Sequence, residues 1–275
     1  MRATGAKLIT AFRMFNADQC PLLAAGIAFY TFLALFPALI ALEFLYGLVA
    51  DPATLVSQIE TITSTLPGVA RKLIAEQLAV MASSPRPVLG IGFVIAVLTE
   101  LWSVSGVVGN LFGAVNTAYR VPDDRGWVRR KLLALAAAVV SILFMAVVVV
   151  MVVLAPQLIA IVGGPAVLGW VLEGLRWLIL VSLTVVGVRL VYRFGPHRRA
   201  TRPRLISAGA VVATLIWFAA SAGFAIYVDL FGSHAETYGA LAGVAVLLLW
   251  LWLAGYAILL GAEINSTFDA DQSSP

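Results

Sequence analysis

The chain has 275 residues, 61% of them hydrophobic and 12% charged, with a mean hydropathy of +0.99 and a formal net charge of +4. A soluble globular domain carries about 25% charged residues, so this composition excludes one and leaves little mass for a soluble catalytic domain. The positive excess reads as membrane topology rather than nucleic-acid affinity, because Lys and Arg close to the spans set orientation.

Residues 1–20 place Leu8, Phe12 and Phe15 at helical spacing among Arg2, Lys7 and Arg13. That pattern predicts a short amphipathic helix on the inner membrane surface. Six apolar stretches follow, at roughly 22–50, 88–112, 132–155, 167–192, 205–228 and 239–262. Each reaches the about 20 residues that a helix needs to cross about 30 Å of hydrocarbon. The first is too long for a signal-peptide core of about 7–15 residues, so it is expected to stay in the protein as span one. It contains Pro37, which removes a bond to the Leu33 carbonyl and predicts a kink.

Between spans one and two, residues 51–87 form the largest segment outside the bilayer. Leu55, Ile59, Ile62 and Leu66 make one apolar stripe, Pro67-Gly68 breaks it, and Leu73, Ile74, Leu78 and Met81 make another. This predicts a helical hairpin on the outer surface, ended by Pro85 and Pro87. The fold class is therefore all-α: an integral membrane bundle of six helices with an extracytoplasmic hairpin, forming a single membrane domain over 1–275.

Basic residues gather in only some of the gaps. Arg2, Lys7 and Arg13 precede span one. Arg120, Arg125, Arg129, Arg130 and Lys131 lie between spans two and three. Arg189, Arg193, Arg198, Arg199, Arg202 and Arg204 lie around the junction of spans four and five. Together these are 14 of the 18 basic residues. Placing all three clusters inside puts both termini in the cytoplasm, with 263–275 as a cytoplasmic tail. The Arg120–Lys131 and Arg193–Arg204 stretches suit anionic lipid headgroups, so membrane lipids are the expected partners and nucleic acid is not.

Small residues four apart let membrane helices approach closely. Gly109 and Gly113, Ala219 and Gly223, and Gly239 and Gly243 have this spacing. Trp170, Trp177, Trp250, Trp252, Tyr192 and Tyr256 mostly suit interfacial belts. Cys20 is the single cysteine, so no intrachain disulfide can form. His197 and His234 fall on opposite faces of the membrane and cannot share a metal. No Walker loop, Gly-x-Ser-x-Gly elbow or clustered ligand set is present, and no cofactor or metal is expected.

Ionisable groups within spans are the better leads, since burying charge in lipid is costly. Glu43, Asp229 and Glu263 sit near span boundaries and read as interfacial residues in contact with water. Glu100 lies twelve residues beyond Val88, and Arg176 about 14 Å into span four at a rise of about 1.5 Å per residue. The two depths match, so Glu100 and Arg176 are candidates for a pair or a shared polar cavity. The competing partner of Arg176 is Glu173, three residues earlier on the same helix.

Four stretches carry a resemblance: AAGIAFYTFLALFPALIAL in span one, LWSVSGVVGNLFGAVNTAYRV at the end of span two, LRWLIL and VYRFGP in span four, and YGALAGVAVLLLWLWLAGYAILLGAEIN in span six. In order and over nearly the whole chain, they resemble the YihY/BrkB family of bacterial inner-membrane proteins. The resemblance implies Tyr30, Pro37, Trp102, Ser105, Asn116, Arg176, Trp177, Tyr192, Pro196, Tyr238, Gly239, Trp250, Gly261, Glu263 and Asn265 as pattern positions. Glu100 departs from that pattern, which is apolar there. Family members have carried ribonuclease and serum-resistance labels, and lipid or lipid-precursor export has been suggested for relatives. A ribonuclease would need positioned acid–base groups or metals, and the inner loops offer Asp123 and Asp124 beside five basic residues. The leading expectation is a transporter or flippase-like protein for a lipid or other amphipathic molecule, and not an enzyme. Candidate polar-cavity residues are Glu100, Arg176, Glu173, Tyr30, Pro37 and Asn116. The alternative is a non-transporting scaffold or envelope-integrity factor acting through a homo-oligomer or an envelope protein partner. An intramembrane enzyme ranks third. No internal repeat supports the inverted-repeat design of many transporters.

Overall fold

The computed structural model describes residues 2–49, 85–154, 157, 166–197, 207–231 and 235–270. Among them there is no strand. The helices are α1 (Arg2–Ala17), α2 (Cys20–Val49), α3 (Arg86–Ala118), α4 (Trp127–Val149, continued by a π-helical turn, Val150–Leu154), α5 (Ala166–Phe194), α6 (Ala208–Phe231) and α7 (Ala235–Ala270). Six of these, α2 to α7, are long and apolar enough to cross a membrane. The span order read from the sequence is reproduced. The expected hairpin at 51–84, most of the gap near 156–166, the arginines at 198–204, His234 and the last five residues lie outside the described set.

Two compact units are present. One comprises Met1–Phe32 and Ser105–Pro275, the other Leu33–Val104. The division in α2 falls at Leu33, the residue whose carbonyl loses its partner at Pro37. The helix itself runs through Pro37 without a break in assignment. In the second unit Gly92 lies against the Phe44 ring, which a Cβ at 92 would meet at 2.6 Å.

The first unit has its core where helix ends converge. Phe15, Cys20, Ala24, Val115, Ala118, Tyr119, Tyr192, Ala210, Leu259 and Ala262 pack as one buried cluster. α7 packs most extensively on α6 and next on α1, while α5 packs on α6. The amphipathic helix α1 forms as expected, and Ala11 and Phe15, one turn apart, are its buried positions. The Phe15 ring meets Tyr256 of α7 edge-on at 4.5 Å. Leu8 and Phe12 stay exposed.

Two expectations are corrected. First, 263–270 is not a tail. α7 continues two turns beyond the apolar stretch because Glu263, Ile264 and Asn265 are buried among neighbouring helix ends. Second, the close helix approaches are elsewhere. A Cβ at Gly109, Gly223 or Gly243 would meet nothing within 4 Å. The tight crossing uses Gly209 and Ala213 of α6 against Gly261 of α7. A methyl at Gly209 would drive into the Gly261 carbonyl oxygen, and one at Gly261 would reach Ala213 Cβ at 2.7 Å. Gly255 likewise faces the Ala24 backbone. The four-residue spacing rule holds, but for a pair, Gly209 and Ala213, that composition alone does not single out.

Candidate functional site at the arginine-rich end

Hydrogen bonds draw the three basic gaps to one end of the first unit. Arg120, just past α3, reaches Asp18 between α1 and α2 at 2.7 Å and Glu263 near the end of α7 at 3.2 Å. Arg125, in the α3–α4 connection, donates to the Gly195 carbonyl at 2.6 Å and the Phe194 carbonyl at 3.3 Å, capping the C-terminus of α5. The His197 amide donates to Asn116 Oδ1 of α3 at 2.9 Å. At the start of α6, Gly209 N donates to Asn265 Oδ1 at 2.8 Å, and Asn265 Nδ2 donates to the Ser207 hydroxyl at 3.1 Å. The Trp252 indole donates to the Pro21 carbonyl at 3.0 Å. Helices that alternate in direction bring these segments together only if an even number of crossings separates them.

The centre of this end is the Asp18–Arg120–Glu263 triad. Arg120 has φ 53°, the left-handed region that closes helices and is usually left to glycine. A non-glycine residue there costs about 1–2 kcal/mol. From that conformation the guanidinium reaches both carboxylates. Glu263 is 0% exposed, which corrects its reading as a water-contacting interfacial residue. The apolar run ends at Ala262, so the sequence places Glu263 at a boundary, but Asp18, Cys20 and Arg120 gather around it. Its second oxygen lies 3.9 Å from Cys20 Sγ.

Removing one partner of a buried pair strands the other charge. Arg120→Met should therefore lower stability by about 1–3 kcal/mol, reduced from the fully buried case because the Arg120 side chain is 43% exposed. Adding Glu263→Gln to Arg120→Met should recover part of the loss. Thermal unfolding of the purified protein in detergent measures both. Strictly additive losses would show that the two groups are not coupled.

Beside the triad is an open-mouthed cavity of about 480 Å³, lined by Asp18, Asn116, Arg120, Asp123 and Arg130 among others. Asn116 is 4% exposed, and its Nδ2 has no hydrogen-bond partner among the described residues. A buried unpaired amide is costly, so this donor is available to an acceptor. Both Asp123 oxygens are held by Arg125, at 2.6 and 3.3 Å. Burial alone would raise the Asp123 carboxyl, but the Arg125 hydrogen bonds and charge outweigh it and hold it below its ordinary value. Lys131 donates to the buried Ser105 hydroxyl at 2.7 Å, tying α4 to α3.

Several predicted residues are built into this end. Asn116 lines the cavity, Glu263 anchors the triad, and Asn265 holds α6. Tyr192 is buried, and its hydroxyl donates to the Ile258 carbonyl at 2.5 Å. Tyr192, Tyr256 and Trp252 thus belong to or pack against the core rather than to an interfacial belt. Gly261 makes the α6–α7 crossing and Pro196 is buried beyond α5.

The other predicted residues are placed apart from it. Arg176 is ion-paired with Glu173, the same-helix partner considered from the sequence. Its other nitrogen donates to the Met151 carbonyl at 3.2 Å and to the Val152 carbonyl at 3.5 Å, in the π turn of α4. A π turn leaves backbone carbonyls off the regular ladder, and Arg176 satisfies two of them. Trp177 Nε1 also donates to Glu173, at 3.0 Å. Glu100 belongs to the other unit, and its Oε2 has no hydrogen-bond partner among the described residues. Trp102 and Tyr30 are exposed. Trp250 donates to Ser221 at 3.2 Å. Pro37 lies within α2, and Tyr238 and Gly239 lie on α7 with their side chains outside the described set.

Asp18, Cys20, Arg120, Arg125 and Ser207 are the contributors that motif reasoning passes over. Their one sequence signal is position: each flanks a span at a basic gap, or sits at the span's first residue.

Six long apolar helices with their charged connections locked together at one end define a polytopic helical membrane protein. The sequence matches the family described as Virulence factor BrkB over residues 11–274. The chain therefore belongs to that family, in agreement with the resemblance read from its motifs. It is 26% identical to the ribonuclease-like protein YfkH of Bacillus subtilis (strain 168) over 183 residues, 65% of this chain and 66% of that protein. It is 27% identical over 184 residues to a UPF0761 membrane protein of Tolumonas auensis, covering 64% of this chain and 56% of the relative. A UPF0761 membrane protein of Aeromonas salmonicida is 40% identical over 101 residues, 34% of either chain. The matched regions thus span about two thirds of the length of the first of these relatives and just over half of the second. No solved structure matches the chain.

Proposed function

We propose that this protein is a transporter or flippase-like protein for a lipid or other amphipathic molecule, set in the bacterial inner membrane with its arginine-rich end in the cytoplasm. The observation that carries the reading is the cavity of about 480 Å³ at that end. It combines a buried, unpartnered amide donor at Asn116 with Arg130, whose nearest carboxylate is 3.9 Å away. Such a cavity, opening where spans meet their connections, suits an acceptor-rich headgroup whose tail stays among apolar helix faces. The orientation is supported by the gathering of the Arg120, Arg125 and Arg193 regions at one end, since basic loops stay on the side of synthesis.

Asp123 is held by Arg125 and so is poorly placed as a general base, which supports reading the chain as no hydrolase of RNA. The ribonuclease-like wording belongs to the Bacillus relative. The sequence contains no ATP-binding loop, so the movement would be passive, ion-coupled or driven by a partner.

Reconstitution into liposomes holding a fluorescent phospholipid tests this. The protein should raise the rate at which inner-leaflet label reaches the outer leaflet, and Arg130→Gln with Asn116→Leu should reduce that rate. Movement no faster than in empty vesicles would overturn the transport reading and favour a scaffold.

A further inference from the structure

A second cavity, of about 380 Å³, lies at the same end, with Arg125 in its wall. It falls within the range of about 300–1,000 Å³ usual for small-molecule sites. Arg125, Arg129, Arg193 and His197 line it, and Leu132, Leu133 and Phe194 supply the remaining wall. No carboxylate is among these lining residues.

The charges are not equivalent. Arg125 is neutralised by Asp123 and spends its other nitrogens on the α5 carbonyls, so it acts as a floor. Arg193 makes no ion pair among the described residues, and its guanidinium lies 5.6 Å from the centroid of the Phe194 ring. Arg129, on the first turn of α4, is exposed. Two cations from different gaps thus face one apolar-walled hollow at the end of a membrane span.

We infer that this hollow is a resident binding site for the phosphate headgroup of an anionic phospholipid. Arg129 and Arg193 would straddle the phosphate, and Leu132, Leu133 and Phe194 would receive the glycerol and the first acyl carbons. Arginine is suited to phosphate by its planar fork of donors. An anionic lipid here would clamp the start of α4 to the end of α5. The site requires only that the chain spans a bilayer. It does not require that the chain transports anything, so failure of the scrambling assay would leave it standing.

The test is native mass spectrometry of the purified full chain in detergent, titrated with phosphatidylglycerol or phosphatidylcholine. Wild type should retain one phosphatidylglycerol in preference to phosphatidylcholine. At about 1 kcal/mol per surface cation, Arg129→Gln with Arg193→Gln should weaken that retention about 30-fold. Arg13→Gln, at an exposed position of α1, should leave it unchanged. An equal loss with Arg13→Gln would mean diffuse charge attraction and overturn the site. Displacement of the lipid by millimolar inorganic phosphate or glycerol phosphate would assign the hollow to a soluble anion and overturn the lipid reading. No preference for phosphatidylglycerol over phosphatidylcholine would overturn it outright.

Discussion

Gly261→Leu should abolish recovery of folded protein, and Gly261→Ala should lower its thermal midpoint sharply. A Cβ at Gly261 is directed at three atoms that cannot yield together: the Tyr192 hydroxyl, the Gly209 carbonyl oxygen and Ala213 Cβ. The hydroxyl is held by its bond to the Ile258 carbonyl. The carbonyl is backbone of a helix whose first turn is fixed by Asn265. Overpacking of a tight core costs about 1–3 kcal/mol when side chains can shift. Here α6 and α7 must separate, which breaks the Gly209–Asn265 bond as well, so the cost should exceed about 3 kcal/mol.

The comparison that isolates this effect is Gly223→Ala or Gly243→Ala. Both are helical glycines whose added methyl meets nothing within 4 Å. Either should keep or raise stability, by up to about 1 kcal/mol from helix propensity. Gel filtration of detergent-extracted protein and thermal unfolding give both readouts. Gly261→Ala with an unchanged midpoint would show that the helices do not approach there.

That contrast also marks how far the sequence could be read. Six spans and the amphipathic α1 follow from apolar length and from the spacing of Leu8, Phe12 and Phe15, which are local properties. Which glycine makes a crossing is not local. Gly239 and Gly243 have the favoured spacing, yet Gly261 on the same helix makes the contact, because α6 begins beside it. Glu263 shows the same limit. Its apolar run stops at Ala262, so hydropathy puts it at a wet boundary, yet it is buried beside Cys20 and Arg120, the latter more than 140 residues away in sequence.

Arg176 pairs with Glu173, the neighbour three residues earlier that helical spacing offers. Its bonds to Met151 and Val152 depend on the π turn of α4, which periodicity does not announce. The sequence marks Arg120 as one positive charge among five, in a stretch that suits anionic headgroups. Its left-handed backbone and its grip on Asp18 and Glu263 make it the joint of the arginine-rich end, and neither feature is visible in a charge count.

The proposed orientation requires that the basic gaps share one face of the membrane and that this face is cytoplasmic. Cysteine accessibility tests it most directly, because the chain has one native cysteine and Cys20 is fully buried. In a Cys20→Ala background, single cysteines are placed at Ile9→Cys on α1, Asp124→Cys in the α3–α4 connection and Gln157→Cys between α4 and α5, all exposed positions. Intact cells are treated with a membrane-impermeant maleimide. Gln157→Cys should be modified at once, whereas Ile9→Cys and Asp124→Cys should react only after the membrane is opened. Modification of Asp124→Cys in intact cells, or equal reactivity of Asp124→Cys and Gln157→Cys, would contradict it.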